Sequence, residues 1–266
     1  MEKLKLLESG IRKYHSALIA FSGGVDSTFL AYYTHKVLNG NVLLVTATSS
    51  TYPFFELEEA KELAVKYNLK HKIINSEETD IPGFSDNPPD RCYYCKRELF
   101  SILIEIAKKE GYAAVFDGSN ADDLNDYRPG MKAKKEYGVI SPLCDAGLTK
   151  NDIRALSGQF GLPTADKPAY ACLASRFPYG EKITITKLNR AEKTESEIRT
   201  LGLKQFRVRS HNNLARIEVA PGELEDAWKN KEKLHEICKS AGFVYVTLDL
   251  QGYRTGAMNE EIVNPN

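Results

Sequence analysis

The stretch Ala17–Ser27, ALIAFSGGVDS, constrains this chain more than any other. An apolar run, Ala17–Phe21, breaks at Ser22-Gly23-Gly24, and a helical pattern resumes from Val25. A short apolar run that ends in glycines and meets a helix start reads as a buried strand feeding a helix N-terminus. Adjacent glycines let the backbone turn several N–H groups toward one point with no Cβ in the way. The helix dipole and its unpaired N–H groups then favour an anion, typically a phosphate. Ser22 and Ser27 add hydroxyls, and Asp26 is a candidate to hold magnesium against phosphates. No lysine follows the glycines, so this is not the G-x-x-x-x-G-K-[ST] loop, and the spacing is not the fingerprint G-x-G-x-x-G. The plain alternative is an ordinary glycine turn with a capping aspartate.

Around this loop, strand and helix patterns alternate. Glu2–His15 reads as an amphipathic helix, and Asp26–Leu38 as the helix after the loop. Asn41–Thr48 is a second buried strand, Pro53 opens a helix to Asn68, and Lys70–Ile74 is a third strand. Asn75–Arg91, acidic and rich in Pro and Gly, reads as a long functional or mobile loop. It delivers RCYYCKRELF, the start of a helix to Glu110. Ala113–Asn120 reads as the fourth strand, followed by the polar loop ADDLNDYRPG, whose Asp122, Asp123 and Asp126 either bind magnesium or solvate the loop. Thr149 and Asp152 have capping-box spacing for a helix through Phe160. Such alternation implies an α/β fold, a parallel sheet with helices on both faces. From Tyr170 the pattern changes to a charged helix (Thr186–Leu201), paired strands (Phe206–Arg209, Leu214–Val219), a helix (Gly222–Ala241) and a strand (Phe243–Leu250). The expected division is residues 1–169 and a small α+β domain, residues 170–266.

At 266 residues the chain has ample material for a core, and 42% hydrophobic with 27% charged residues is a soluble globular composition. Lys+Arg and Asp+Glu both total 36, so no global basic field favours a nucleic-acid partner. No stretch approaches a membrane span and Met1–Lys5 lacks a signal-peptide layout, so the expected compartment is the cytoplasm and no membrane partner is expected.

The cysteine total, 5, is odd, which suits a closed disulfide framework poorly. Cys92 and Cys95 form a C-x-x-C at a loop-to-helix junction, and Cys172 stands alone in YACLASRFPYG. A redox pair, a zinc site and a 4Fe–4S cluster all use such residues. No other feature suggests a thioredoxin fold, and no second ligand pair completes a zinc site. Three thiolates suit a 4Fe–4S cluster with one iron open. Cys238 falls on the apolar side of a helix and Cys144 reads as a small buried residue. The second part also offers Ser175, Arg176, Arg207 and Arg209, the last two on one strand face; the arginines either clamp a phosphate or belong to a solvated face.

S-G-G-x-D-S after a strand resembles the pyrophosphate loop (PP-loop) of the ATP pyrophosphatases, which cleave ATP between the α- and β-phosphates. With DGSNADDLNDYRPG, SRFPYG, RVRSHNNLARIEV and YVTLDLQGYRTGAMN, nearly the whole chain is similar to the LarE family, sulfur-inserting enzymes of nickel-pincer cofactor synthesis. The resemblance implies that ATP adenylates the carboxylates of pyridinium-3,5-biscarboxylic acid mononucleotide, after which sulfur replaces oxygen. It implies ATP contacts from Ser22, Gly23, Gly24, Asp26, Ser27, Gly118 and Asp123, with magnesium at Asp26. It places Lys96 near the reacting carboxylate, and makes Ser175, Arg176, Glu195, Arg207, Arg209 and Glu218 a site for phosphate or substrate phosphate. Some family members sacrifice the sulfur of one cysteine, at the place matching Cys172. Others have three cysteines, as here, and resemble enzymes that hold 4Fe–4S and pass a sulfide from it. The cluster route through Cys92, Cys95 and Cys172 is therefore expected, with an unidentified sulfide donor and a homo-oligomeric assembly. The rivals are a cluster-dependent tRNA thiolase, an ammonia-using PP-loop ligase and a zinc-stabilised nucleotide-binding module.

Overall fold

Buried strands that are apolar on both sides need cover on both sheet faces, and the first part of the chain supplies it. The computed structural model describes residues 2–125, 129–254 and 256–260. These divide into two compact units, residues 1–77 with 90–170, and residues 78–89 with 171–266.

In the first unit, helix α1 (Glu2–Ile11) precedes strand β1 (Ala17–Ala20) and helix α2 (Val25–Val37). There follow β2 (Val42–Thr48), α3 (Phe54–Lys66), β3 (Lys70–Asn75), α4 (Arg91–Glu110), β4 (Ala114–Phe116), α5 (Gly130–Glu136), α6 (Pro142–Asp145) and α7 (Lys150–Gln159). The sheet is entirely parallel, in the order β3-β2-β1-β4. Leu18 and Ile19 of β1 point to opposite faces and both are buried. Ile19 packs in a core with Phe29, Leu63, Phe116 and Ile153, and Leu18 in a second with Phe100, Leu103 and Val115. Because β1 is flanked by β2 on one side and β4 on the other, the chain reverses its winding between β1 and β4. In open α/β sheets this crevice at the strand C-termini is where ligands bind.

In the second unit, α8 (Ile185–Arg199) leads to β5 (Phe206–His211) and β6 (Leu214–Val219), then α9 (Leu224–Lys229), α10 (Lys231–Ser240) and β7 (Tyr245–Leu248). Strand β6 pairs antiparallel with β5 and parallel with β7. Ile198, Phe206, Val208, Ile217, Leu234 and Cys238 form its core.

The structure corrects several expectations. The helix expected over Gly222–Ala241 is a 3₁₀ turn and two helices that meet at Asn230, whose side chain donates to the Asp226 carbonyl (2.9 Å) beside its own N–H (3.2 Å). The first helix ends at Ile11 rather than His15. Cys144 is half-buried, not buried. Within the segment read as a functional or mobile loop, Asn87 is buried and donates to the Phe177 and Pro178 carbonyls, while Ile183 N–H bonds the Ser85 carbonyl.

Candidate active site

The segment between β1 and α2 folds as its glycines require. Gly23 has φ +66°, a left-handed conformation in which a side chain is strained. A Cβ there would also stand 3.1 Å from the Ala60 Cβ of α3. Gly24 caps α2 without a side-chain hydrogen bond, so the first-turn N–H groups face outward. Ser22 Oγ and Ser27 Oγ lie 3.1 Å apart, and Ser27 Oγ also accepts from Ser22 N–H (3.3 Å). From the neighbouring strand, Gly118 closes in: a Cβ on it would stand 3.1 Å from the Ser27 amide nitrogen. The loop after β1 and the end of β4 thus meet at the winding reversal.

Asp26, in the first turn of α2, forms an ion pair with Lys150 at the start of α7 through Oδ2. Its Oδ1 is buried and makes no hydrogen bond, although the neighbouring Asn120 amide helps to hold the charge. Burial pushes the Asp26 carboxyl above the usual carboxylate range; Lys150 opposes that shift and Asp123 adds to it. An unsatisfied carboxylate oxygen beside a phosphate cradle fits a divalent cation such as magnesium. Asp123 is buried and its Oδ2 accepts from Asn120 N–H (3.0 Å), while Asp122 accepts from Lys150 N–H (2.8 Å). Asp126, with Tyr127 and Arg128 of the same motif, lies outside the described residues.

Cys92 and Cys95 sit one turn apart near the start of α4, the first exposed and the second half-buried. One turn's spacing puts both on one helix face. Lys96 packs along Gly130 of α5, where an added Cβ would meet its Cγ at 2.9 Å, and its ammonium lies 5.4 Å from the Phe100 ring centroid. Cys172, exposed, belongs to the second unit. Among the described residues no three His, Cys, Asp or Glu side chains are gathered as a ready metal site. Exposed or half-buried thiols on two segments are nonetheless the donor type that iron–sulfur clusters use. Cys238 is buried, and burial pushes its thiol up to about 12, which makes it inert.

The arginines of the second unit are not a solvated face. Arg176, fully buried, forms a bidentate pair with Glu195 (2.9 and 2.7 Å), and its third nitrogen donates to the Ala171 carbonyl and to Ser175 Oγ. Burial alone raises the Glu195 carboxyl, but Arg176, the Val208 N–H (2.8 Å) and Arg207 outweigh it and hold it below the usual range. Arg209 bonds Glu218 (2.9 Å) and the Ser175 carbonyl (2.6 Å), and Arg207 stacks 5.0 Å from the Tyr253 centroid. Arg216 joins Glu218 to Asp249 (3.1 and 2.8 Å). Ser175, Arg176, Arg209, His211 and Arg216 line a small cavity of about 30 Å³. Arg176, Arg209 and Arg216 pair with the carboxylates Glu195, Glu218 and Asp249, which fixes their guanidinium groups in place.

No family model matches the chain. It is 44% identical over 259 residues, 97% of each chain, to an uncharacterised protein of Synechocystis sp.. It is 36% identical over 261 residues, 98% of this chain and 95% of the relative, to pyridinium-3,5-bisthiocarboxylic acid mononucleotide synthase of Lactiplantibacillus plantarum. This chain belongs to the LarE family. More distant matches are a component of the glutamine-hydrolysing GMP synthase of Thermoplasma volcanium, 26% identical over 57% of this chain and 53% of that one, and tRNA-specific 2-thiouridylase MnmA of Rickettsia peacockii, 27% over 59% and 53%. The first unit accordingly has the PP-loop α/β fold.

This LarE-family chain also surrounds its loop with residues that sequence reasoning passed over. Lys167 Nζ donates to the Gly23 carbonyl (3.0 Å) and pairs with Glu56 (2.8 Å) and Glu59 (2.7 Å). Tyr52 donates to the Ser22 carbonyl (2.9 Å). Lys150 directly follows the Thr149 cap, a position that could have marked it; Lys167 and Tyr52 carry no spacing that would.

Proposed function

We propose that this chain is an ATP-dependent, AMP- and pyrophosphate-forming sulfurtransferase that converts the carboxylates of pyridinium-3,5-biscarboxylic acid mononucleotide to thiocarboxylates. The observation that carries the reading is the glycine loop at the β1/β4 reversal, in a chain that matches the L. plantarum synthase over 98% of its residues. Ser22, Gly23, Gly24 and Ser27 would cradle the β- and γ-phosphates, with Gly118 and Asp123 at the nucleotide's edge. Asp26 would hold magnesium, which screens the phosphate charge when bound. A substrate carboxylate oxygen attacks the α-phosphorus, the α–β bridging bond breaks, and pyrophosphate leaves into the loop. Lys96 would steady the carboxylate. A sulfide then adds to the activated carbonyl carbon, and AMP departs with the bond's electron pair and the original oxygen.

Ser175, Arg176, Arg207 and Arg209, oriented by Glu195 and Glu218, would bind the mononucleotide phosphate. Cys92, Cys95 and Cys172 would hold a 4Fe–4S cluster, which supplies an iron able to carry the sulfur. One exposed and one half-buried thiol in a C-x-x-C, with the exposed Cys172, support that assignment over a sacrificed cysteine, for which Cys92 and Cys95 would be superfluous. We also place the protein in the cytoplasm, as a homo-oligomer with 1–169 and 170–266 as domains; among the described residues no helix is long and apolar enough to cross a membrane. The test is pyrophosphate release from ATP. The pyridinium mononucleotide should trigger it, whereas tRNA or ammonia with a carboxylic acid should not. Release that depends on tRNA or ammonia instead would overturn the assignment.

A further inference from the structure

In a planar trans peptide the C=O of one residue and the N–H of the next point in opposite directions. Fixing a carbonyl therefore aims the following N–H. In the loop after β1, the carbonyls of consecutive residues are held from outside by side chains of separate segments. Thr46 of β2 donates to the Phe21 carbonyl (2.7 Å), Tyr52 to the Ser22 carbonyl (2.9 Å), and Lys167 to the Gly23 carbonyl (3.0 Å). The opposite ends of those peptides are Ser22 N–H, which meets Ser27 Oγ, and the N–H groups of Gly23 and Gly24.

We infer that Tyr52 and Lys167 are positioning residues that set the anion-binding geometry of the loop from its carbonyl side, with Thr46 as the buried anchor. The inference rests on the nucleotide reading of that loop. Two properties suit the pair to this work. Glu56 and Glu59 fix the Lys167 ammonium from beneath, so it approaches Gly23 along one direction. Burial, with Glu56 and Glu59 nearby, pushes the Tyr52 phenol well above its ordinary range, so it remains an O–H donor at any working pH. Glycine alone leaves the peptide planes free to rotate, and an anion would have to order them at its own cost. Donors on the carbonyls make that arrangement part of the folded state. A lysine near a phosphate loop ordinarily touches the phosphate; here the lysine grips the back of the loop and acts through the backbone.

The test uses the full chain and three probes: ATP, and inorganic pyrophosphate and AMP, the two halves that it yields. Tyr52→Phe, which removes one oxygen, is expected to weaken pyrophosphate binding about tenfold, the worth of one well-placed hydrogen bond. Lys167→Met is expected to weaken it further. AMP affinity should change less than about twofold in Tyr52→Phe, with its melting temperature within a few degrees of wild type. Equal pyrophosphate affinity in wild type and Tyr52→Phe would overturn the inference, as would parallel losses for pyrophosphate and AMP, which mark a general structural role. Wild-type protein that binds AMP or ATP but not pyrophosphate also refutes it and leaves the nucleotide reading standing. Failure to bind any of the three refutes that reading itself.

Discussion

At Gly23, backbone and packing demand the same thing. Its φ of +66° and the Ala60 Cβ at 3.1 Å both exclude a side chain. Gly23→Ala should cost about 1–2 kcal/mol from the left-handed backbone alone, more as α3 gives way, and should abolish pyrophosphate binding; a urea melt and a titration check both. The requirement for Ser22, Gly23, Gly24, Asp26 and Ser27 was legible in the sequence because strand, turn and helix start are contiguous there. Lys167 was not, since it is 144 residues from the carbonyl it holds. Asp26 was legible as a magnesium candidate, but its partner Lys150, contributed by α7, was not. Nothing in a spacing announces which distant cation will face a carboxylate.

At the level of elements, the second unit depends on a buried charge tie between the turn at Leu173–Arg176, α8 and β5. Arg176→Met would leave Glu195 buried without its partner and should destabilise the protein by about 3–5 kcal/mol in urea unfolding. The same pair fixes a pH dependence. Glu195 is held below its ordinary 4.5 in the folded protein, so its contribution is complete above that value and lost as the pH falls through the folded value. The urea midpoint should therefore drop on acidification below about 4.5, and Glu195→Gln should be weaker at neutral pH but flatter against pH. From sequence, the alternation of Arg207 and Arg209 gave their shared face, and residue spacing could go no further. Their burial depends on α8, on the turn carrying Ser175 and on β6, whose Glu218 lies opposite Arg207 in register. The break at Asn230 and the docking of residues 78–89 on the second unit were hidden for a similar reason. One falls at a single residue inside an otherwise unbroken apolar pattern, the other is a contact with residues some ninety positions away.

For the molecule as a whole, the parallel α/β first unit followed from periodicity, while the proposed sulfur chemistry draws on cysteines far apart in the sequence. Cys92 and Cys95 belong to the first unit and Cys172 to the second. Anaerobically purified protein should carry iron and acid-labile sulfide in the ratio of a 4Fe–4S cluster, and Cys95→Ala should lose both. Iron-free, fully active protein would return the sulfur source to Cys172 alone, visible as loss of one sulfur from its intact mass after a single turnover. The most direct measurement of the central claim is the mass of the pyridinium mononucleotide after incubation with ATP, magnesium and the sulfide-loaded protein. The account predicts replacement of a carboxylate oxygen by sulfur, with one AMP and one pyrophosphate formed for each sulfur inserted. An unchanged mononucleotide, or one that gains nitrogen in place of sulfur, would contradict it.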